Sequence, residues 1–389
     1  ERIEIVRGAQ SAIYGSDALA GVINIISRRP VDGHQAQLLG EWGEDDYANY
    51  AASAQGSGGG WDYAIGFSHR DDGEPVPGST RESDNADLRL GWEGVEGHRV
   101  EFAYRYLDGE RSSYPEQSGG PEYALTDDLD VGEYRDEVYA LSWRAQLQEN
   151  WSSHLSLDRF SHEDDLASPG IPPYLEVPPN AAETEFDRDQ LRWVNTLSLA
   201  QHTELNVGAD YRDEDGESEG YVAYFGLQVP TNFALDRSTT GYFINASSTA
   251  VENLLLQGSV RYDDPDGFDG ETSLSLGARY LLGQAWSVSA NWGEAFKLPS
   301  FFALGHPLVG NPDLAPETAS SWDIGLAWRV EGFGLGVTGF MNDYEDLVDF
   351  DDETFRNVNR SNVETQGVEM EGSWEATDEL QLLGQVTYT

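Results

Sequence analysis

The stretch RVEFAYRY, residues 99–106, sets Val100, Phe102, Tyr104 and Tyr106 against Arg99, Glu101, Ala103 and Arg105 in strict alternation. A two-residue period sends one set to each face of a β-strand, whereas a helix would scatter both sets around its circumference. The same rhythm returns in SLSLGARYLL (273–282), WSVSANW (286–292), SWDIGLAWR (321–329) and ELNVGADY (204–211), and no long segment has a convincing helical period. The chain therefore reads as all-β. The alternation delimits about 17 strands of about 9–15 residues, at 34–43, 48–57, 61–70, 84–92, 98–106, 133–148, 151–163, 184–199, 203–213, 236–249, 253–262, 271–282, 285–295, 317–329, 334–343, 364–375 and 379–389.

The connections narrow the architecture. Short ones (SGGG, EGVEG, QEN, AQH, AVEN, GQA, VEG, EATDE) alternate with segments rich in Pro, Gly, Asp and Glu at 71–83, 107–132, 164–183, 214–235, 296–316 and 344–363. Only 44–47 and 263–270 are brief on that second side. Strands this long cross a bilayer when tilted, and a rim of short turns opposite a rim of long loops is the asymmetry of a transmembrane antiparallel β-barrel. Trp61, Trp92, Trp151, Trp286, Trp292, Trp322 and Trp328 fall near strand ends, where interfacial aromatic girdles sit. A soluble, acidic, carbohydrate-binding β-sandwich is the competing fold, but it has no reason to place long loops at every second connection.

Charge and composition remove other classes. The 389 residues carry 70 acidic and 23 basic side chains, a formal net charge of −47, which argues against nucleic acid as a partner. Lys297 is the sole lysine. The acidic residues recur in clusters at 71–72, 163–165, 213–217, 263–269 and 349–353, which read as solvated loop surface. With no cysteine there is neither disulfide nor thiolate metal site. The seven histidines show no nucleophile spacing, so no catalytic residue is assigned and the chain is not read as an enzyme.

The N-terminal passage IEIVRGAQSAIYGSDALAGVINIISRRP, residues 3–30, is two strands around a small-residue turn. It is neither a dinucleotide fingerprint nor a phosphate loop. It resembles the end of the plug domain of TonB-dependent outer-membrane receptors, with Ala9 where that family usually has proline and Ala20 where it usually has glycine. Downstream, AFKLPS (295–300), GNPDLAPE (310–317) and NVETQGVEMEGSW (362–374) resemble boxed segments of the same family's barrel, Leu298 replacing a common alanine.

The resemblance implies a 22-stranded barrel with about 17 strands present, residues 1–30 being the C-terminal end of a plug and 31–389 a barrel truncated at its C-terminus. It implies location in the outer membrane of a Gram-negative bacterium, with lipid around the wall. The function implied is active uptake of a scarce large ligand, a ferric siderophore or cobalamin before haem, so the cargo carries iron or cobalt. A passive porin or a barrel enzyme is the alternative. Energy would come from the inner-membrane TonB–ExbB–ExbD complex acting through a segment upstream of Glu1. Arg7, Gly8, Tyr14, Gly15 and Asp17 are the expected plug–wall contacts. Phe301, Phe302, His306 and Asn311 are the expected ligand residues, His306 with haem-ligating capacity. No cofactor is obligatory. Asp263, Asp264, Asp266 and Asp269 form the candidate Ca2+ cluster.

Overall fold

The computed structural model describes residues 2–26, 32–115, 121–175, 177–200 and 202–389. The expected plug–barrel boundary at residues 30 and 31 lies outside the described residues. Two short strands, β1 (Arg2–Arg7) and β2 (Gly21–Ile26), pair antiparallel and enclose a one-turn helix, α1 (Ser11–Tyr14). The wall begins with β3 (Gly33–Trp42), β4 (Ala48–Gly58), β5 (Trp61–Asp71), β6 (Thr80–Val95), β7 (His98–Ser113) and β8 (Asp130–Gln148). It continues with β9 (Trp151–Ser168), β10 (Asn180–Ala200), β11 (Thr203–Tyr224), the short β12 (Leu227–Pro230), β13 (Phe233–Val251), β14 (Leu254–Pro265) and β15 (Glu271–Leu282). β16 (Trp286–Lys297), helix α2 (Phe301–Gly305), β17 (Glu317–Val330), β18 (Phe333–Asp351), β19 (Arg356–Thr377) and β20 (Leu380–Tyr388) complete it.

Every wall strand pairs antiparallel with its sequence neighbour; β11 bonds to β13, and β12 folds back on the end of β11. The sheet rolls into a barrel of 17 wall strands, β3–β11 and β13–β20. β20 and β3 are neighbours where the ring meets, and both are exposed along their whole length. These two strands are the seam.

Cross-strand register explains why the wall forms. On the outer face, Trp61, Trp92, Val100, Trp143, Leu155, Trp193, Ala209 and Tyr242 stand opposite one another from β5 to β13. The next outward-facing row is Tyr63, Leu90, Phe102, Leu141, Leu157, Leu191 and Tyr211. Aromatic and aliphatic partners in direct opposition are the stabilising unit of such a sheet, at about 0.2–1 kcal/mol per pair. On β16 and β17 the rings pair directly, Trp286 on Trp328 at 5.9 Å and Trp292 on Trp322 at 5.9 Å.

Toward the long-loop end the same outer face turns acidic. Asp71, Glu82, Glu110, Glu133, Asp165, Glu183 and Glu219 form one row across β5–β11. The row beside it reads Asp84, Asp108, Arg135, Glu163, Glu185 and Glu217, with Arg135 bonded to Asp108 at 3.1 Å and Glu163 at 3.2 Å.

These rows correct the expected strand ends. Residues 107–113, 164–168, 180–183, 214–224 and 344–351 read as loop in the sequence but are strand. The backbone ladder continues past the apolar rows, while acidic side chains on the outer face erase the hydrophobic alternation. The longer connections that remain on that rim are 72–79, 114–129, 169–179 and 298–316, with 43–47, 266–270 and 352–355 brief.

Candidate functional site

The N-terminal unit lies inside the barrel, α1 packing against β13–β16. Polar bonds fasten it. The Ser11 hydroxyl donates to the Phe296 carbonyl at 3.3 Å and accepts from the Phe296 N–H at 3.1 Å. The Ala9 N–H donates to Ser321 Oγ at 2.8 Å, and the Leu298 N–H to Ser16 Oγ at 3.3 Å. Ala9, Ala295 and Ala319 form a small dry core where the two surfaces meet. Their size permits the close approach, and the backbone groups released at the end of β16 find partners in the serines rather than being left unsatisfied.

The expected wall contacts fall as follows. Arg7 is ion-paired with Glu369 on β19. Gly8 has φ +81°, and a Cβ there would stand 2.7 Å from Ser321 Oγ. Gly15, φ +83°, lies against the Arg261 guanidinium, 3.2 Å from where its Cβ would be. Asp17 reaches Arg212 at 3.5 Å. Tyr14 closes α1 with its side chain half exposed.

Beneath this unit the inner wall carries charges that the sequence reading missed. Arg261 donates to Asp210 at 2.7 and 2.8 Å and to Asp263 at 2.6–3.0 Å, while its guanidinium lies 5.5 Å from the Phe243 ring centre. All three charged side chains are buried, so each depends on the others for solvation. Arg192 also lies over the Phe243 ring, 5.0 Å from its centre, and donates to the Ile13 carbonyl at 3.3 Å. A second run rises toward the long loops. Arg212 lies 3.8 Å from Glu214, Glu214 accepts from Arg237 at 2.9 and 3.2 Å, and Arg237 donates to the Pro299 carbonyl at 3.1 Å. Asp17 on the N-terminal unit and the loop 298–316 are thus the two ends of one run of ion pairs and polar contacts.

That loop is braced from within. Ser300 caps α2, its hydroxyl accepting from the Ala303 N–H at 3.1 Å. His306 follows the helix, and its Nδ1 accepts from the N–H groups of Leu308 and Val309, each at 3.3 Å. Both bonds fix the neutral tautomer with hydrogen on Nε2, and burial lowers the His306 pKa from its ordinary value. An iron-ligating Nε2 needs the opposite tautomer, which runs against the haem expectation. Asn311 donates to the Asn357 carbonyl at 2.9 Å and accepts from the Asp313 N–H at 3.0 Å. It holds the loop to β19.

Phe301 lies over Arg237 at 5.0 Å and against Phe186 at 6.1 Å, where Gly216 leaves room for the ring. Phe302 is half exposed, 4.7 Å from the His306 ring and 6.5 Å from Phe233. Between these rings and β10, β11 and β13 is a cleft of about 330 Å³.

The acidic stretch 263–269 does not converge. Asp263 is turned inward onto Arg261, Asp264 is exposed on the opposite face of β14, and Asp266 accepts the Ser238 hydroxyl at 2.6 Å. Among the described residues no group of three or more His, Cys, Asp or Glu side chains is arranged to hold a metal ion, so the expected Ca2+ cluster at Asp263, Asp264, Asp266 and Asp269 is corrected. Adjacent strand residues point to opposite faces, and the one inward carboxylate is already matched by a cation.

Comparison with known proteins supplies the family. The family described as "TonB dependent receptor-like, beta-barrel" matches residues 41–389. The chain belongs to this family of TonB-dependent receptors. Its membership makes the wall an outer-membrane barrel of a Gram-negative bacterium, the apolar rows facing lipid and the long loops facing outward. The vitamin B12 transporter BtuB of Vibrio vulnificus (strain CMCP6) is 29% identical over 368 residues, covering 90% of this chain and 55% of that protein. The chain thus spans about half the length of this curated relative. Among solved structures, the ferric yersiniabactin uptake receptor FyuA of Yersinia pestis superposes with a TM-score of 0.81 at 14% identity, over 99% of this chain and 66% of that one. The siderophore receptor PirA of Pseudomonas aeruginosa gives 0.75 at 19% identity, over 100% and 72%. At these identities the likeness is one of fold.

In this receptor-family barrel the missed residues had a readable signal. In GADYRDEDGES (208–218) the inward set Asp210, Arg212 and Glu214 is charged at every second position. A two-residue charge period in a membrane strand marks the wall that faces the interior.

Proposed function

We propose that this chain is the larger part of a gated receptor that takes up a scarce, large ligand across the outer membrane, a ferric siderophore or a cobalamin carrying iron or cobalt. The observation that carries the reading is the unit of residues 2–26 bonded inside the barrel and joined, through Asp17, Arg212, Glu214 and Arg237, to the outward-facing loop 298–316. A passive porin has no use for such an obstruction. In this reading residues 1–30 end a plug, residues 31–389 belong to the barrel it closes, and the TonB–ExbB–ExbD complex supplies energy through the segment before Glu1. Arg7 on Glu369 and the serine bonds of α1 hold the resting position. The likeness to a protein named vitamin B12 transporter supports cobalamin, and the fold-level likeness to siderophore receptors keeps ferric siderophores beside it.

Uptake by a deletion strain complemented with the full-length gene tests the reading. Radiolabelled cyanocobalamin and 55Fe-loaded siderophores are supplied with and without a protonophore. Saturable uptake of one ligand, abolished by the protonophore or by loss of TonB, is expected. Uptake that is unaffected by both, or linear in ligand concentration, would leave a passive pore.

A further inference from the structure

We propose that the cleft between α2 and the inner wall of β10, β11 and β13 seats a flat, uncharged aromatic group bearing a hydrogen-bond acceptor. This rests on the receptor reading above, and the group is one part of the larger ligand. The cleft, at about 330 Å³, is near the lower limit of small-molecule pockets, which suits a one- or two-ring fragment rather than a whole cargo. Rings make up much of its wall, Phe186, Tyr221, Phe233, Phe301, Phe302 and His306, alongside uncharged polar residues such as Thr184 and Ser218. Phe301 is held flat by Gly216 and Arg237, and Phe186 in turn by Phe160 at 6.2 Å. Phe302 is the ring left free to stack, since half of it is exposed.

Polarity selects within that class. His306 cannot turn, because two backbone N–H groups hold Nδ1. Its other nitrogen is therefore an N–H donor, complementary to an acceptor on the bound ring. Arg237, the nearby cation, already satisfies Glu214 and the Pro299 carbonyl, so an anionic group gains no free partner. Glu185 and Glu217 contribute to the cleft's border, but they are opposed to each other on the outer-facing set of β10 and β11, so a cationic group gains no inward carboxylate from them. Gly216 on β11 makes the site possible: a Cβ there would overlap the Phe301 ring and force α2 away from the wall. None of these residues sits in the Asp210–Arg261–Asp263 cluster, so Phe302 and His306 can be altered without disturbing that cluster.

The test uses the full-length receptor, purified in detergent at pH 7.5, with ligand-observed NMR titrations of three ring probes: benzimidazole (neutral), benzoate (anionic) and benzyltrimethylammonium (cationic). Benzimidazole is expected to bind and the two ions to bind at least tenfold more weakly. Phe302→Ala, His306→Phe and Gly216→Val are each expected to weaken benzimidazole at least tenfold. Phe302→Ala removes a half-exposed ring, and its folding is checked by the gel mobility of unheated samples. Equal or tighter binding of either ion overturns the proposal, as does benzimidazole binding that ignores both Phe302→Ala and His306→Phe. Normal cargo uptake with no benzimidazole binding overturns this inference alone, whereas benzimidazole binding without uptake overturns the transport reading alone.

Discussion

Arg261 illustrates what a single residue does in this wall. Its guanidinium serves two carboxylates and an aromatic face at once, under the glycine that lets the N-terminal unit come close. Removing one partner from a buried ion cluster strands the others, at a cost of about 3–5 kcal/mol, while replacing the whole cluster by neutral groups costs far less. Arg261→Ala should therefore lower the unfolding free energy of the full-length receptor by that order, and Arg261→Met with Asp210→Asn and Asp263→Asn should recover most of it. Urea titrations in vesicles followed by tryptophan fluorescence decide this; equal losses in both variants would mean the charges are not coupled. His306 gives a pH dependence of known sign. Because burial lowers its pKa, the unfolded loop binds more protons than the folded one in the window below the ordinary value of about 6.5. The loop's stability is complete above that value and falls as pH drops through the window, since a proton on Nδ1 also displaces the Leu308 and Val309 bonds. Amide exchange at those two residues should quicken as pH falls from about 7 to 5, after correction for intrinsic rates, and His306→Gln should flatten the response. Neither residue's partners were readable from sequence. His306 was visible as a histidine between two motifs, but its tautomer depends on backbone N–H groups that only the folded loop supplies. Arg261 lies 51 residues from Asp210, and the register of β11, β13 and β14 joins them.

At the level of elements, the strands were legible where their two faces differ and illegible where both are polar. RVEFAYRY announced β7 because Phe102 and Tyr104 face outward against Arg99 and Glu101, yet β7 runs on to Ser113 through LDGERSS, where no apolar set remains. The same happened in β11, read to residue 213 and continuing to Tyr224. The contrast yields a paired prediction on one strand face. Leu141 and Glu133 both point outward from β8, eight residues apart, the first in an apolar row and the second in an acidic one. Leu141→Arg should cost about 2–4 kcal/mol, the depth-dependent cost of a cation on the lipid face, falling to about 0–1 near the interface. Glu133→Arg should cost nothing or stabilise, because the new cation would stand between Glu110 and Asp165. Refolding titrations of the two variants measure the difference, and similar losses for both would contradict the assignment of the rows to lipid and to water. Helix α2 went unread for another reason. A five-residue helix nucleates poorly alone, and its stability comes from the Ser300 cap and from Phe301 and Phe302 packing on the wall.

For the whole molecule, the net charge of −47 is distributed, and register shows where some of it resides. The row from Asp71 through Glu82, Glu110, Glu133, Asp165, Glu183 and Glu219 opposes like charges directly across seven strands, just beyond the lipid-facing rows. Directly opposed like charges destabilise a sheet, each pair by a few tenths of a kcal/mol or more. The exposed arginine pairs in the neighbouring rows, such as Arg159 with Asp187 at 2.8 Å and Asp189 at 3.0 Å, return little, since exposed ion pairs are worth about 0–1 kcal/mol. The fold therefore carries a repulsion that solvent ions relieve. Raising monovalent salt from about 10 mM to about 1 M shortens the screening length from about 30 Å to about 3 Å, less than the spacing between neighbouring carboxylates. The urea midpoint of the full-length receptor in vesicles of uncharged lipid should rise over that range, and the combined variant Glu133→Gln, Asp165→Gln and Glu183→Gln should start higher and rise less. Because the four carboxylates at 263–269 do not converge, Mg2+ and Na+ at equal ionic strength should give nearly the same midpoint. A midpoint indifferent to salt would show that the rows do not repel one another, and a rise specific to Mg2+ at micromolar concentration would replace screening with a bound cation.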